Sequence, residues 1–575
     1  MNSMLSNSFQ FSKNPSFSLN PNTMRLFSIL ILLFLFSRCQ QPAGAEQEPP
    51  SGMEAHLGEV DFLVNGTAEA QRSFKEGLLL LHSFEYEDAR DLFQRAREAD
   101  KGCVMAYWGE AMTHNQPLWR RQQMDKAREV LLQLGESRED RLQQAEEGIE
   151  REFLSAVDVL YFSEGDKNDR DVAYAEVMEK MYRKYPGNHE VAAFYALSLI
   201  GAVPVGRDEE AYQKSATISE GIMAENPNHP GALHYLIHAY DDPGHAHLAR
   251  KAADSYADVA PDAAHALHMP SHIFVAMGMW HEVVASNIES WEASVNRMED
   301  KGLSGGAKSY HAYNWLQYGL LQQGHAEKGR EMLQKMVEFT AEDPTKSARA
   351  YLVDMKGGYL VESDVWDGPE TEIEVDVEDL NVVHKAVYAF LDGMKAYRAG
   401  LAAGVETALR TVEAEIDNAA LMVTDEGLPM CAPSGSSGYA PNQQDLNKAQ
   451  VISFELGALL ADLNGEKARA EKLFSEAVAL EEQSTFAYGP PPIVYPSFEL
   501  YAEWLLKAGR PGDALQQLEV ALRRGPGRRK ALVAQIQAAT MLKETQLIKD
   551  AQEQLEEISR LSEAHSIDDE SIIVQ

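Results

Sequence analysis

Cysteine is scarce in this sequence, and no apolar run in it is long. The chain has three cysteines in 575 residues, and of these Cys103 and Cys431 lie far apart. Two such cysteines give no disulfide framework, and the sequence leaves open whether they pair. The apolar run at residues 26–36 is roughly half of what a membrane-spanning helix needs. A phosphate-binding loop, a nucleophile elbow and an HExxH zinc-protease helix are absent as well, so no common enzyme motif indicates a reaction.

Basic residues are also in deficit. Lys and Arg together number 52 against 89 Asp and Glu, which gives a net charge of −37. Nucleic acid and an anionic membrane surface would both repel such a chain. We therefore expect neither of them as a partner, and the acidity itself is typical of a highly soluble surface.

The first 39 residues have the pattern of an export signal. Arg25 precedes the apolar run at residues 26–36, and Cys39 follows shortly after it. This order is typical of a signal peptide and resembles a bacterial lipoprotein processing site, at which Cys39 becomes the lipidated first residue. Arg38 departs from the small residue that is usual before that cysteine, and Met24 is the better first residue for the signal. We expect an exported protein, periplasmic or anchored to the outer membrane, whose only membrane contact is the lipid.

A repeat of 34 residues organises the middle of the chain. His234 and His268 are 34 residues apart, and so are His238 and His272. Prolines and glycines at the turns recur at the same interval. This period resembles the tetratricopeptide repeat (TPR), in which each unit is two antiparallel helices, A and B. The resemblance implies an all-α, right-handed superhelical solenoid built from such helix pairs.

The resemblance also implies a ligand groove lined by histidine. In the TPR family, positions 2, 5, 9, 12 and 13 of helix A face a concave groove. His234 and His268 fall at position 5, His238 and His272 at position 9, and His265 at position 2. The other groove residues that it implies are Asp241, Asp242, His311, Asn314, Tyr318, Tyr351 and Asp354. The segments HALHMPSHIF and YGPPPIVYP resemble those of a group of bacterial TPR proteins, and this likeness implies a fold and no activity.

Composition divides the chain into six stretches. Helical patterns fill most of it, and segments rich in Gly, Pro and Ser interrupt them. We predict a leader at residues 1–39, a flexible tether at 40–58, a TPR array with the histidine-rich groove at 59–345, irregular TPR units with long loops at 346–442, C-terminal TPR units at 443–561 and a disordered tail at 562–575.

Histidine is concentrated where the groove is predicted. Eleven of the 17 histidines lie in residues 229–325, where an even distribution would place about three. Two imidazoles at i and i+4 share one helix face, and the A helices of neighbouring TPR units lie side by side. Nitrogen ligands without cysteine suit zinc or another divalent first-row metal, and the aspartates at positions 12 and 13 would serve as ligands or fix the imidazole tautomers. The predicted metal ligands are His234, His238, His268 and His272.

Pro270 falls between the two members of the second histidine pair. Inside a helix it removes one backbone hydrogen bond and kinks the helix, which would aim His268 and His272 at a common point. If a helix instead begins at Pro270, the argument from a shared helix face weakens.

Three explanations of the histidines stay open: metal ligands, hydrogen-bonding groups for an anionic or peptide ligand, and structural residues. The first hypothesis for function is an exported binding or scaffold protein that holds a peptide, a protein or a small molecule in its groove, with or without a metal ion. The second is a metal-dependent hydrolase or oxidoreductase, in which Asp241, Asp242 or Tyr318 supplies general acid or base.

Overall fold

The computed structural model of the protein describes residues 56–423, 441–484, 486 and 489–564. Several predictions concern residues outside these ranges. They are the leader with the lipidation of Cys39, the tether up to residue 55, the pairing of Cys431 with Cys103, most of the loop before residue 442 and the tail beyond residue 564. These stay predictions.

The described chain is almost entirely α-helical, which confirms the predicted class. A hairpin of two short antiparallel strands, β1 Asn115–Gln116 and β2 Arg121–Gln122, follows the third helix, and the sequence pattern does not indicate it. No helix in the described residues combines the length and apolarity that a membrane crossing requires. The helices are α1 Ala68–His82, α2 Tyr86–Ala99, α3 Val104–Met112, α4 Met124–Leu131, α5 Arg138–Gln143, α6 Ile149–Phe162, α7 Lys167–Lys184, α8 His189–Gly201, α9 Glu209–Glu225, α10 Pro230–Ala239, α11 Arg250–Val259, α12 Ala264–His268, α13 Pro270–Met277, α14 Trp280–Lys301, α15 Tyr310–Gln322, α16 Ala326–Glu342, α17 Lys346–Ser363, α18 Val382–Arg398, α19 Ala402–Ala420, α20 Gln443–Leu463, α21 Lys467–Glu482, α22 Ser497–Lys507, α23 Pro511–Arg524, α24 Arg529–Leu542 and α25 Thr545–Ala564, with 3₁₀ turns at Ala246–Leu248, Gly305–Ala307 and Pro369–Glu372.

Consecutive helices pack against each other as TPR-type pairs. Glycine on the first helix of a pair permits a close approach to the second. A Cβ at Gly77 of α1 would lie 3.1 Å from the Phe93 ring of α2, and one at Gly457 of α20 would lie 3.3 Å from Leu473 of α21. The spacing of small and aromatic residues in the sequence therefore corresponds to contacts inside each pair.

Proline and a capping histidine define where helix α10, which carries the first histidine pair, begins. Pro230 lies in its first turn, where a missing N–H leaves no hydrogen bond unmade. His229 caps the helix, because its Nδ1 accepts a hydrogen bond from the Ala232 N–H at 3.2 Å. His234 and His238 follow one helical turn apart and therefore face the same side.

Proline divides the second histidine segment into two helices. Helix α12 ends at His268 and α13 begins at Pro270, while Met269 between them keeps helical dihedral angles (φ −55°, ψ −36°). The structure combines the two alternatives that the sequence leaves open: a helix begins at Pro270, but His265 and His268 lie in the helix before it and not in a loop. The chain bends without unwinding, and the Nε2 atoms of His268 and His272 lie 3.2 Å apart.

The buried apolar side chains form two clusters that meet at α14. The first gathers residues of α1 to α13, the start of α14 and Trp315 and Tyr318 of α15, and the second gathers most of the other buried apolar residues from Val284 onward. The first cluster brings the beginning of the described chain onto its middle: the Glu59 N–H donates to the Asn228 carbonyl at 2.9 Å, and Arg297 of α14 pairs with Asp88 of α2. Helix α1 packs against α10. This contact fills part of the space in which an open groove is predicted: the end of α1 covers His234 and His238, whereas Trp315 of α15 lies against His268 and His272.

Candidate metal centre

Six imidazoles from four helices meet in the first core cluster. They are His234 and His238 of α10, His265 and His268 of α12, His272 of α13 and His311 of α15. The four predicted metal ligands among them are at most 2% exposed, and His265 and His311 are partly exposed. The six form two groups whose ring nitrogens lie within 4.8 Å of one another. We name His234, His238 and His265 the first triad, and His268, His272 and His311 the second triad.

This grouping corrects the predicted site of four ligands. The four histidines are divided between the two triads. Each triad takes its third member from the residues that the TPR resemblance assigns to the ligand groove, His265 and His311. The reason is that helix A of the next unit lies against each pair and contributes the histidine at position 2 in its first turn.

Hydrogen bonds fix the tautomers in the second triad. Nδ1 of His272 donates to Oδ2 of Asp241 at 2.6 Å, and Nδ1 of His268 donates to Oδ1 of Asn287 at 2.7 Å. The Asn287 amide is itself oriented, because its Nδ2 donates to the Val283 carbonyl at 2.7 Å. With their protons on Nδ1, both rings present Nε2 as an acceptor.

Two Nε2 lone pairs therefore face each other in the second triad, 3.2 Å apart. Two neutral acceptors at this distance repel unless a cation lies between them. Two nitrogens that each lie about 2.0–2.1 Å from one tetrahedral ion are about 3.3 Å apart, which is close to the observed separation. A carboxylate or amide oxygen behind each Nδ1 is also the usual support of a metal-bound histidine.

The first triad repeats this arrangement in part, because an oxygen accepts from Nδ1 of only one member of its pair. Nδ1 of His234 donates to the His82 carbonyl at 2.7 Å, so its Nε2 is an acceptor, and this atom lies 3.1 Å from Nε2 of His238. The ring of His265 lies 5.1 Å from that of His234. Nε2 of His265 and Nδ1 of His238 are buried, and neither has a hydrogen-bond partner among the described residues. An unpaired buried polar atom costs about 1–3 kcal/mol, so the first triad carries polar atoms that the described protein contacts leave unsatisfied.

Aromatic rings enclose both triads. Phe84, just after α1, lies 4.2 Å from the ring of His234 and stacks on that of His265 at 5.7 Å. Trp315 of α15 lies 4.7 Å from His268 and 4.6 Å from His272. These rings exclude water and lower the dielectric around the nitrogens.

Burial keeps the imidazoles neutral. It lowers the pKa of His234 and of His311 to about 3. Burial, assisted by the neighbouring imidazoles, also lowers the pKa of His238, His265 and His268 well below the usual histidine range. Neutral imidazole is the form that binds metals.

A third polar group lies beside the first triad and is fully hydrogen-bonded. Nε2 of His82 and Nε2 of His229 donate to the two carboxylate oxygens of Glu190 at 2.7 and 3.1 Å. Burial alone would raise the pKa of Glu190, but the two imidazoles outweigh it and the pKa is lowered. Nδ1 of His82 bonds the Tyr235 hydroxyl at 2.9 Å. This group positions the end of α1, whose His82 carbonyl orients His234.

The two aspartates at positions 12 and 13 have different surroundings. Asp241 is buried and supports His272 from behind. Asp242 accepts from Nδ1 of His245 at 2.8 Å and pairs with Arg207 at 3.2 Å. The chain leaves its helix at Ala239, so consecutive side chains turn to opposite sides. Asp242 is therefore outside the cluster, contrary to the prediction.

Of the four predicted groove residues beyond α14 other than His311, one reaches the cluster. The Tyr351 hydroxyl lies 3.0 Å from Nδ1 of His311. The other three have different surroundings: Tyr318 accepts a hydrogen bond from Arg528, Asp354 lies 3.6 Å from Nε2 of His384, and Asn314 is 7% exposed within α15.

Sequence reasoning missed the residues that reach the cluster from other units. Asn287, Phe84 and Trp315 carry no motif, and the His82 carbonyl is invisible to any side-chain pattern. Only the excess of aromatic residues near the ends of A helices hints at an enclosed site.

No protein-family model and no curated protein matches the chain. Among solved structures it is similar to a human IFIT1 dimer with m7Gppp-AAAA, at 10% identity over 87% of this chain and 92% of that one, with a TM-score of 0.31. It is similar to yeast Tom70 at 12% identity over 84% and 99%, with a TM-score of 0.30. It is also similar to the TPR domain of P58(IPK) at 12% identity over 83% and 99%, with a TM-score of 0.19. Likenesses of this size carry no argument about function.

Proposed function

We propose that this protein is a helical-repeat metal-binding protein whose second triad holds a divalent first-row transition ion, zinc or one of similar ligand preference. The observation that carries the proposal is the pair of opposed Nε2 lone pairs of His268 and His272, whose protons are fixed on Nδ1 by Asn287 and Asp241. His311 supplies the third nitrogen. Three protein nitrogens leave one position of a tetrahedral ion for a further ligand.

A proton between the two rings is the competing explanation. A proton on His268 would create a charged imidazolium in a site where burial lowers its pKa well below the usual range. The alternative is that Asp241 keeps its own proton and donates it to His272, which frees a proton for the Nε2 contact. Burial raises the pKa of Asp241, while the His272 imidazole opposes this rise. Metal analysis distinguishes these cases, since both proton arrangements leave no room for an ion.

The geometry favours binding over catalysis. A metal-dependent hydrolase or oxidoreductase needs a general acid or base beside the ion. The three predicted candidates are engaged: Asp241 by His272, Asp242 by Arg207 and His245, and Tyr318 by Arg528. The enzymatic alternative therefore has no available proton carrier among the residues that the sequence suggests for it.

Export, the lipid anchor and a peptide, protein or small-molecule partner are further parts of the proposal. Export and anchoring rest on the apolar run at residues 26–36 and on Cys39. The partner rests on the helical-repeat fold alone. Because the four paired histidines are buried, a partner would bind another surface of the protein, and the metal would lie in the interior.

Elemental analysis of the purified full chain tests the metal site. We expect zinc to be retained through gel filtration, removed by a chelator and restored on adding Zn(II). The His268→Ala/His272→Ala double variant should lose the ion of the second triad. The matched control is His245→Ala/His247→Ala, which removes two histidines of the same stretch that lie outside both triads, and it should bind as the wild type does. A wild-type protein that takes up no ion, or a double variant that retains as much metal per chain as the wild type, refutes the proposal; circular dichroism verifies the fold of each variant.

A further inference from the structure

The same pattern of candidate ligands occurs twice in this chain: positions 5 and 9 of one unit and position 2 of the next helix A. We call this pattern the ligand rule. In the second triad, positions 5 and 9 of one unit, His268 and His272, are joined by His311, which is position 2 of the next helix A. In the first triad, positions 5 and 9 are His234 and His238, and the added residue is His265, again position 2 of the following unit. The rule holds although the chain between His265 and His311 is longer than one repeat, because the long α14 and the loop after it lie between them.

The internal geometry of the two triads is similar, except that Asp241 accepts from Nδ1 of His272 in the second triad while Nδ1 of His238 in the first has no hydrogen-bond partner among the described residues. The Nε2 to Nε2 separation within the pair is 3.1 Å in the first triad and 3.2 Å in the second. In each, a main-chain or side-chain oxygen accepts from Nδ1 of the position-5 histidine, the His82 carbonyl for His234 and Asn287 for His268. The members of the pair are buried and the position-2 histidine is partly exposed.

We propose that the first triad is a second metal site, so that the protein holds two neighbouring divalent transition ions, one in each triad. This inference rests on the proposed function of the second triad. The ring of His238 lies 5.8 Å from that of His272, and the ring of His265 lies 6.1 Å from that of His268, so the two ions are neighbours. Pairs of neighbouring metal ions occur in many two-metal sites of proteins.

The ligand set defines the class of ion. All six ligands are neutral imidazoles. Of the carboxylates that bond triad members, Asp241 supports His272 through Nδ1, and Glu85 accepts from the main-chain N–H of His265. Imidazole sites suit zinc and copper, whereas calcium and magnesium require oxygen ligands.

The rule also predicts where the series of sites ends. In the unit after the second triad, positions 5 and 9 are Asn314 and Tyr318, and the position-2 residue of the next helix is Tyr351. Arg528 already bonds the Tyr318 hydroxyl. No third imidazole triad of this kind follows in the described residues, and the expected stoichiometry is two.

Titration of the chelator-treated full chain with Zn(II), against a chromophoric chelator, tests this inference. We expect two ions per chain in the wild type and one ion in each of the single variants His265→Ala and His311→Ala. His247→Ala, which changes an exposed histidine of the same region, should still bind two. In a parallel titration with Cu(II), the electron paramagnetic resonance spectrum should show spin coupling at two ions per chain, and either single variant should show one uncoupled signal.

The possible results separate the two proposals. One ion in the wild type that either single variant abolishes would mean one ion shared by six histidines; this overturns the second site and keeps the metal-binding function. One ion that His265→Ala leaves in place would likewise overturn the second site. No ion at all would overturn both. Since the stoichiometry and spin coupling of the wild type need no variant, a His265→Ala protein that fails to fold leaves the inference testable.

Discussion

Asp241 acts on the second triad from outside it. Its carboxylate orients His272 through Nδ1 and raises the basicity of the opposite nitrogen. Asp241→Asn keeps the size of the side chain and removes the charge. We expect the affinity of the second triad for Zn(II) to fall by about 10- to 100-fold, measured by chelator competition. Asp242→Asn, a change at the adjacent residue that faces Arg207, is the control and should leave the affinity as it is; equal losses in both variants would contradict the assigned role.

Each triad has its own tryptophan. Trp315 lies 4.6 Å from the ring of His272 in the second triad, and Trp119 lies 5.7 Å from that of His265 in the first. Cu(II) quenches tryptophan fluorescence at such distances. We expect two quenching phases on titration, of which Trp315→Phe removes one and Trp119→Phe the other. Trp291→Phe, a change at a tryptophan that packs on Tyr313, should preserve both phases. Loss of the same phase in both test variants would speak against two separate ions.

At the scale of helices, the contact between α1 and α10 is tight at one glycine. A Cβ on Gly231 of α10 would lie 2.4 Å from Nδ1 of His82 at the end of α1. Gly231→Ala should push His82 away from Glu190 and lower the free energy of unfolding by about 1–3 kcal/mol. In Gly221→Ala the added methyl meets nothing within 4 Å, and the variant should be about 0.5–1 kcal/mol more stable because alanine favours a helix. Urea denaturation measures the free energy of unfolding of both variants. A Gly231→Ala protein as stable as Gly221→Ala would contradict a tight contact between α1 and α10.

Helices themselves were the most predictable elements. The 34-residue period places His234 and His238 on one face, and the prolines at 230 and 270 sit where helices begin. The β1–β2 hairpin is not predictable, because its two-residue strands are too short to show any alternation of apolar and polar residues.

At the scale of the whole molecule, the metal-free protein should be sensitive to acid. Burial lowers the pKa of His234 and His311 to about 3 in the folded protein, whereas in the unfolded chain a histidine titrates near about 6.5. Between these values the unfolded state binds more protons, so the free energy of unfolding falls as the pH is lowered through this window. We expect the urea midpoint to be steady above about pH 6.5 and to fall below it. His234→Gln should make the fall less steep, and a midpoint that is flat across the window would contradict neutral buried imidazoles.

The sequence predicts which histidines lie close together better than it predicts that they are buried. A repeat specifies the position of each residue within its unit, and this is enough to select His234, His238, His268 and His272. It does not specify how strongly the stack curves. The contact of His234 with the His82 carbonyl spans 152 residues, and that of Arg297 with Asp88 spans 209. Such contacts depend on the sum of many small rotations between units, which is why a groove is predicted where the structure has a covered interior.

The contact between the His82 carbonyl and His234 has a consequence for the newborn protein. On a ribosome, α1 and α2 are made long before α10 exists, and until then the end of α1 at His82 lacks the helix that packs against it. The N-terminal helices therefore complete their packing only after the middle of the chain is made. An ion bound by His234, His238 and His265 would stabilise the contact between α1 and α10 only after residue 265 has left the exit tunnel. In metal-depleted cells we therefore expect proteases to cleave the N-terminal helices of this protein while the later repeats stay intact.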